Sequence, residues 1–248
     1  MKNHLIIPII IIFLTGCGGF PGEYREKLAD YKKPYFLYAE KKTNTMWLVN
    51  SEFKKIKKYI IATGEKEGDK LYRGDFRTPS GIYKITSIYS YDKPLYLKKK
   101  EKELKALKKN TAEYKKVLSQ YNNLMEEYRH GREMMRGLNS LYLSAEEGHY
   151  KYGTKEALGK NAYGPVFMRV SYPEEKDIEI YEKAKKKGEI PPGKNGKYPG
   201  PGGSIAIHGT NDPPSLGHNA SAGCIRMHND EIRGLLDYVE KGTVVIIK

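Results

Sequence analysis

Cys224 and His208 are the residues of this sequence whose types and spacing point most directly to covalent chemistry. Cys224 lies in the run Ser-Ala-Gly-Cys-Ile-Arg-Met, and His208 lies sixteen positions upstream, directly before a glycine. A thiol attacks a carbonyl carbon as its thiolate, and a neighbouring imidazole can take the proton and form an ion pair with it. The pair therefore predicts a cysteine nucleophile, Cys224, with His208 as its general base.

Small and polar residues around this pair have predicted roles in the same chemistry. Gly223 lets the chain turn sharply, so that the amide groups of Gly223 and Cys224 can point at a developing oxyanion. Arg226 lies on the same side of an extended segment as the thiol, and its guanidinium can bind a substrate carboxylate. Alternatively, Arg226 is only a salt-bridge partner. Ser221 either contacts substrate or shapes the turn, and Gly209 keeps the backbone beside the site open to substrate.

A metal site is the competing use of the same residues. Its four candidate zinc ligands are His208, His218, Cys224 and His228. Their separations match none of the compact zinc patterns. We therefore expect no metal and no cofactor, and we predict that His130 and His149 are surface groups.

The N-terminus has the features of an export signal. Lys2 precedes an apolar run over residues 5–14, which is too short for a transmembrane helix of roughly 20 residues. The run ends in Leu-Thr-Gly-Cys, which resembles the bacterial lipobox. We predict a signal peptide over residues 1–16, lipidation of Cys17 and a lipidated tether over residues 17–33. A short uncleaved anchor is the alternative. The protein would then be exported and lipid-anchored at the cell envelope, on the periplasmic face of a membrane in a Gram-negative cell.

Composition limits the partners. Lys and Arg number 44 against 30 Asp and Glu, so the formal net charge is +14. Such a charge favours an anionic partner, and an exported chain meets envelope polymers and lipid headgroups rather than nucleic acid. Solubility alone is an equally good explanation of the charge. With Cys17 lipidated, Cys224 has no partner for an intramolecular disulfide.

The positioning elements are mainly β-strands. Alternating or β-branched runs predict strands at 35–38, 46–49, 59–62, 81–88, 205–207 and 243–247, and residues 164–173 predict a strand that ends in a turn. A turn-rich stretch is predicted at 74–81 and a loop at 188–203. A helix begins at Asn229 or Asp230 and ends before Gly242. Its inner face consists of Ile232, Leu235, Leu236 and Val239.

A helical insertion interrupts this β pattern at about residues 97–150. Apolar residues recur there at three-four spacing, which predicts one long helix or two helices joined near His130 and Gly131. Residues 98–116 carry nine lysines against three glutamates. We expect an intramolecular helical pair rather than a coiled coil, and a role either in capping the cleft or in binding a protein partner.

The combined motifs resemble the L,D-transpeptidase catalytic domain, also called YkuD. The similarity rests on His-Gly-Thr at 208–210, Ser-Ala-Gly-Cys-Ile-Arg-Met at 221–227, Gly-Asp-Phe-Arg-Thr-Pro-Ser-Gly at 74–81, and the closing helix with the strand after Gly242. The resemblance implies a mainly β, YkuD-like β-sandwich, mostly antiparallel, with helices. The catalytic domain would cover residues 34–248, interrupted by the helical insertion.

The resemblance also implies an activity. Cys224 would attack the peptide bond after the third residue of a peptidoglycan stem, the terminal D-alanine would leave, and an amine of a second stem would resolve the thioester. His208 would act as base and then as acid. Many members carry a second histidine before the Gly-Cys pair, where this chain has Ala222. Hydrolysis at the same site, by a carboxypeptidase or endopeptidase, and a non-catalytic envelope-binding lipoprotein are the alternatives.

Overall fold

The protein was analysed as a computed structural model that describes residues 20–193 and 196–248. The predicted signal peptide and the predicted lipidation site Cys17 lie outside the described residues. The chain divides into two units, Met1–Tyr31 and Lys32–Lys248. In the part of the chain that is described, no helix has both the length and the apolar character needed to cross a membrane.

A short helix lies where the tether was predicted. Helix α1 (Gly22–Lys27) belongs to the first unit, and the role of residues 17–33 as a lipidated tether stays a prediction. Glu23 lies in its first turn, and Arg25 and Lys27 lie in its last turn. These charges oppose the partial charges of the helix ends and therefore stabilise the helix.

The second unit is built on one sheet of nine strands. The strands are β1 (Tyr35–Glu40), β2 (Thr45–Asn50), β3 (Lys55–Gly64), β4 (Gly81–Ser90), β5 (Val166–Val170), β6 (Ala206–His208), β7 (Asn219–Ser221), β8 (Ile225–Met227) and β9 (Val244–Ile247). Their order is β2-β1-β9-β4-β5-β6-β8-β3-β7, and β2 also pairs with β3, so eight of the strands form a closed circuit.

Antiparallel pairing dominates this sheet. The pairs β1–β9, β3–β7 and β6–β8 are parallel, and the other six are antiparallel. The core inside the circuit is formed by alternate apolar residues of the strands, such as Leu37 opposite Leu48 in β1 and β2. The prediction of a mainly β fold with helices is confirmed. The two layers of the predicted β-sandwich are parts of one continuous sheet.

The parallel strands β6 and β8 position two of the predicted site residues. Its register places Ile207 beside Ile225 and His208 beside Arg226. Both isoleucines are fully buried in the core, which fixes the register because a slip by one residue would move them to the other face. The histidine and the arginine are therefore held side by side at the end of the sheet.

Two further helices belong to the second unit. Helix α5 (Asn229–Leu235) was predicted, but it ends at Leu235 rather than near Gly242, so Leu236 and Val239 of the predicted inner face lie beyond it, although they are buried. Its N-cap is His228, one residue earlier than expected, because the His228 imidazole accepts a hydrogen bond from the amide of Asp230. Helix α4 (Glu175–Lys186) was missed by the sequence analysis, although acidic residues in its first turn and lysines in its last turn mark it as a helix.

The insertion folds as two helices, α2 (Leu95–Ala106) and α3 (Ala112–Ser140), which pack on each other while α3 packs on β4. The chain breaks at residues 107–111, where Thr111 caps α3 by accepting from the amide of Tyr114 at 3.1 Å. The predicted joint near Gly131 is therefore wrong. Gly131 lies inside α3, and a Cβ there would lie 3.0 Å from the carbonyl oxygen of Ile88. This glycine allows the helix to approach the sheet.

After α3 the chain crosses back over the sheet as an irregular stretch, here called the crossing segment (residues 141–163). It has no regular helix or strand, and isolated bridges join Leu143 to Gly159 and Tyr150 to Ala157. The insertion therefore extends further along the chain than the predicted boundary near residue 150.

The two glycines of α3 give a matched test of this packing. Gly137 is exposed with nothing near its Cα, so Gly137→Ala should raise stability by about 1 kcal/mol through helix propensity. Gly131→Ala should instead lower stability by about 1 kcal/mol or more, because the methyl group meets the backbone of β4. Urea unfolding of both variants measures the difference, and an equal gain at both positions would contradict the close approach.

Candidate active site

Cys224 and His208 line one cavity of about 60 Å³. Ser221, Ala222 and Arg226 contribute to the same wall. The remainder comes from the crossing segment, namely Leu143, Gly148, His149, Leu158, Ala162 and Tyr163. The structure thus brings together the predicted nucleophile, base and arginine, and the insertion forms part of their enclosure.

Cys224 sits in the turn between β7 and β8 and is half-buried. Its Sγ lies 3.6 Å from the carbonyl oxygen of Ser204, to which a thiol can donate. Burial raises the pKa of this thiol, while a hydrogen bond from the Ala206 amide and the positive charges of Lys70 and Arg226 act in the opposite direction. The net shift is upward, so the thiol is protonated at neutral pH.

His208 is held rigidly at the end of β6. Its ring is only 4% exposed, stacks on Phe167 with centroids 5.6 Å apart, and meets the ring of Tyr163 at 5.1 Å. Nδ1 lies 2.6 Å from the carbonyl oxygen of Gly209. A carbonyl can only accept, so Nδ1 carries the proton and Nε2 keeps its lone pair.

The protonation of His208 follows from its surroundings. Burial lowers the pKa of His208 to about 3, and the charge of Arg226 adds to this effect, while the bond to Gly209 partly opposes it. The imidazole is therefore neutral at rest. Together with the raised pKa of Cys224, this favours a neutral thiol and a neutral imidazole in the resting site.

Ser221 shapes the cysteine turn. Its Oγ accepts from the amide of Gly223 at 3.1 Å and donates to the carbonyl of Cys224 at 2.5 Å. The Gly223 amide is therefore already used, which contradicts its predicted role as an oxyanion donor in this arrangement. The Cys224 amide stays the predicted donor. For Ser221, the turn-shaping alternative accounts for both of its hydrogen bonds.

The turn-rich stretch at 74–81 packs against the turn that carries Cys224. Gly223 has φ 129°, and a Cβ there would lie 2.7 Å from the carbonyl oxygen of Arg77. The buried hydroxyl of Thr78 donates to the carbonyl of Gly223 at 2.9 Å and accepts from the amide of Gly64 at 2.8 Å. The stretch at 74–81 and the turn that carries Cys224 are therefore packed against each other and joined by the Thr78 hydroxyl.

Lys70 is a charged neighbour of the thiol that the sequence analysis missed. It is buried, and its Nζ lies 2.7 Å from Oδ1 of the buried Asp75. Asp75 also accepts from the amides of Leu71, Tyr72 and Arg77, so its charge is well compensated. Nothing in the local sequence marks Lys70, because only the folded loop brings it near Cys224.

Arg226 is buried on β8 with its hydrogen-bonding capacity only partly used. Its Nη2 donates to the carbonyl of Gly148 at 3.3 Å, and its Nη1 lies 3.7 Å from Oδ2 of Asp212. Burial lowers the pKa of Arg226, and the Asp212 carboxylate opposes that shift. Among the described residues, Nη1 has no hydrogen-bond partner. Substrate binding by Arg226 stays a prediction, with this N–H group as its available donor.

Gly209 serves the fold rather than the cavity wall. A Cβ at this position would lie 2.4 Å from Oδ1 of Asn229 and 2.7 Å from Cδ of Pro165. Gly209 is not among the cavity-lining residues in the described chain, so its predicted contact with substrate has no support. Its carbonyl instead fixes the tautomer of His208.

The remaining histidines separate into different environments. His130 is exposed on α3, as predicted, whereas His149 is half-buried and lines the cavity, so the prediction of a surface group is wrong for it. His218 stacks on Tyr152 with centroids 4.2 Å apart, and His228 caps α5. Within the residues that the structure describes, no group of three or more His, Cys, Asp or Glu side chains is placed to hold a metal ion.

Comparison with known proteins agrees with this geometry. The sequence pattern of the family described as YkuD, L,D-transpeptidase catalytic domain, matches residues 34–247. The chain belongs to the L,D-transpeptidase catalytic-domain family. The match includes the helical insertion as well as the strands, so the catalytic domain begins at the first strand and runs to the last.

Relatives of this L,D-transpeptidase-family chain match it over short stretches. The candidate L,D-transpeptidase YkuD of Bacillus subtilis is 54% identical over 41 residues, 16% of this chain and 25% of the relative. The ErfK/SrfK protein of Salmonella typhimurium, named as a probable L,D-transpeptidase, is 52% identical over 42 residues, 17% of this chain and 14% of the relative. The chain thus matches a quarter or less of each relative's own length.

Solved structures overlap more of the chain at low identity. Bd1075 of Bdellovibrio bacteriovorus is 16% identical, with a TM-score of 0.44 over 88% of this chain and 49% of that protein. The helical cell shape determining protein Pgp2 of Campylobacter jejuni is 17% identical, with a TM-score of 0.42 over 88% of this chain and 49% of that protein.

The neutral resting pair can be tested by alkylation. Because burial raises the pKa of Cys224, we expect iodoacetamide to label it in the folded chain only as the pH rises above the ordinary thiol pKa of about 8.5. The same chain in urea should be labelled at lower pH. Peptide mass spectrometry separates Cys224 from Cys17. A labelling plateau at about pH 5–7 in the folded chain would reveal a preformed ion pair and contradict the neutral state.

The support under the cysteine turn can be tested at Thr78. Thr78→Val keeps the shape but leaves the amide of Gly64 and the carbonyl of Gly223 without this partner. We expect a loss of about 1–3 kcal/mol in the free energy of unfolding. The exposed Thr86, on β4, gives the matched control, and Thr86→Val should change stability by less than about 0.5 kcal/mol. Similar effects of both changes in urea unfolding would show that Thr78 is not a special support.

Proposed function

We propose that this chain is a peptidoglycan L,D-transpeptidase in which the Cys224 thiol forms a thioester with a tetrapeptide stem and passes the acyl group to an amine. The observation that carries the proposal is the shared cavity of Cys224, His208 and Arg226, with the His208 tautomer fixed so that Nε2 is the free base. Membership of the family supports the substrate class.

The first step is attack on the stem. His208 Nε2 accepts the thiol proton as Sγ bonds to the carbonyl carbon, because a neutral thiol is a poor nucleophile. Burial makes the imidazolium costly, so the proton is passed on quickly to the leaving amine of the terminal D-alanine. The carbon–nitrogen bond breaks and the thioester remains on Cys224.

The groups around the thiol can bind the polar groups of the substrate and stabilise the charge that develops in the reaction. The free N–H of Arg226 is available to a carboxylate or carbonyl of the stem, and the Cys224 amide is the remaining backbone donor of the turn for the oxyanion. Lys70 adds a positive charge that favours the thiolate as it forms. Only groups fixed before the reaction can stabilise charge without reorganisation, and Ser221 and Thr78 fix this turn.

The second step resolves the thioester. An amine attacks the carbonyl carbon and loses a proton, and Cys224 leaves as a thiolate that is then reprotonated. An amine of another stem gives a 3–3 cross-link, and an amine of a protein gives an attached protein. The proposed location follows from the N-terminal pattern: export, lipidation at Cys17, and action in the cell envelope, where the positive net charge suits anionic surroundings.

Product analysis tests the reaction. The full-length chain is incubated with purified disaccharide-tetrapeptide, and products are identified by mass spectrometry. We expect a dimer that lacks one D-alanine. Cys224→Ala should reduce its formation by at least about 10³-fold without changing thermal unfolding, since the nucleophile is lost and the fold is kept.

Other products discriminate the alternatives. Tripeptide without dimer would show that water takes the acyl group and would replace transfer by hydrolysis. Retention of activity in Cys224→Ala would overturn the proposed site. An unchanged substrate, with no thioester on Cys224, would favour a binding protein of the envelope.

A further inference from the structure

The active-site cavity contains a second imidazole that the first step does not use. His149 lies on the crossing segment and lines the same cavity as Cys224 and His208. The two histidines differ in exposure, because the His208 ring is enclosed while the His149 side chain is 27% exposed. His149 therefore reaches both the cavity and solvent.

The ring of His149 is oriented by a carboxylate. Its Nδ1 lies 3.2 Å from Oε1 of Glu146, and its backbone amide donates to the carbonyl of Glu146 at 2.9 Å, which closes a turn. An ionised carboxylate can only accept, so Nδ1 carries the proton and Nε2 keeps its lone pair. A base with its second nitrogen held by a carboxylate has the arrangement expected of a general base.

The backbone on both sides of His149 is fixed to the sheet. The carbonyl of Gly148 accepts from Arg226, and Glu147 pairs with Lys66 at 2.8 Å. Further along, the amide of Tyr152 donates to Oδ2 of Asp212 at 3.0 Å. Arg226 lies on β8, whereas Lys66 and Asp212 lie in loops that follow β3 and β6, so these contacts hold the crossing segment against the sheet and its loops.

The close approach of Gly148 places this wall beside the thiol. A Cβ at Gly148 would lie 3.0 Å from the Cβ of Ala222 and 2.7 Å from the ring of Phe76, and its φ is +80°. The segment therefore packs directly on the cysteine turn, two residues from the nucleophile. His149 and Cys224 therefore line the same small cavity of about 60 Å³, into which a thioester on Cys224 would extend.

We propose that His149 is a second general base, which contacts the amine that resolves the thioester and takes its proton. The inference rests on the transpeptidase function proposed above. In this step the amine nitrogen bonds to the thioester carbonyl carbon, the carbon–sulfur bond breaks, and Cys224 leaves as thiolate. One amine proton moves to Nε2 of His149, and the imidazolium then returns a proton to the thiolate directly or through solvent.

The chemistry of the two steps explains why a second base is useful. An acceptor amine in water is largely an ammonium ion, which loses one proton to solvent before it can attack. It must lose a second proton as the carbon–nitrogen bond forms, and this second proton is the one that His149 takes. His208 is enclosed and holds a proton poorly, whereas His149 faces solvent and has Glu146 beside it. The negative charge of Glu146 also favours an approaching ammonium group. The acceptor class that fits is therefore a primary alkylamine rather than an anionic or apolar nucleophile.

The test measures the two steps separately on the full-length chain. Acylation of Cys224 is followed with a carbapenem and with tetrapeptide donor by intact-protein mass spectrometry, and transfer is followed as loss of the thioester on adding an acceptor stem. We expect His149→Ala to leave acylation unchanged and to slow transfer by about 10²-fold. Added imidazole should restore part of the transfer rate, and Glu146→Gln should slow transfer less than His149→Ala does.

His130→Ala is the matched control, since His130 is an exposed histidine of the same insertion and should leave both steps unchanged. Transfer at the wild-type rate in His149→Ala would overturn the inference alone. Equal loss of acylation and transfer, without rescue by imidazole, would assign His149 a structural role and also overturn it. A wild-type chain that forms no thioester with donor would instead refute the proposed function.

Discussion

The position of the site depends on the two hydrogen bonds made by the buried hydroxyl of Thr78. It accepts from the amide of Gly64 and donates to the carbonyl of Gly223, so a single buried group joins the end of β3 to the cysteine turn. Both glycines lie so close to the backbone of residues 76–78 that a Cβ on either would overlap it. Three backbone segments therefore meet around one oxygen atom, and the thiol takes its position from where they meet.

The charges near the thiol compensate each other, and the thiol and the imidazole themselves are uncharged in the resting site. The buried pair of Lys70 and Asp75 is closed by three backbone amides, while Cys224 and His208 are both neutral. A permanent thiolate would be more readily oxidised than a thiol. A proton on sulfur therefore protects Cys224, while the positive charges of Lys70 and Arg226 favour a negative charge on the sulfur atom.

Most of the strands, and the proximity of His208 and Cys224 in one cavity, could be predicted because their signals are local. Alternation, glycine turns and the spacing of His208 and Cys224 are visible in short stretches of sequence. The proximity of Lys70 to the thiol and the arrival of His149 in the cavity depend on contacts between distant segments, such as Arg226 with Gly148. The break before α3 was misplaced because Gly131 has a packing reason rather than a helix-ending one. The lipidation site and the signal peptide stay predictions.

The contact between Gly148 and Ala222 links two parts of the chain that are far apart in sequence. A Cβ at Gly148 would lie 3.0 Å from the Cβ of Ala222 and 2.7 Å from the ring of Phe76, so the crossing segment keeps its present path only while residue 148 has no side chain. A graft of the crossing segment onto another backbone would therefore have to carry this glycine with it.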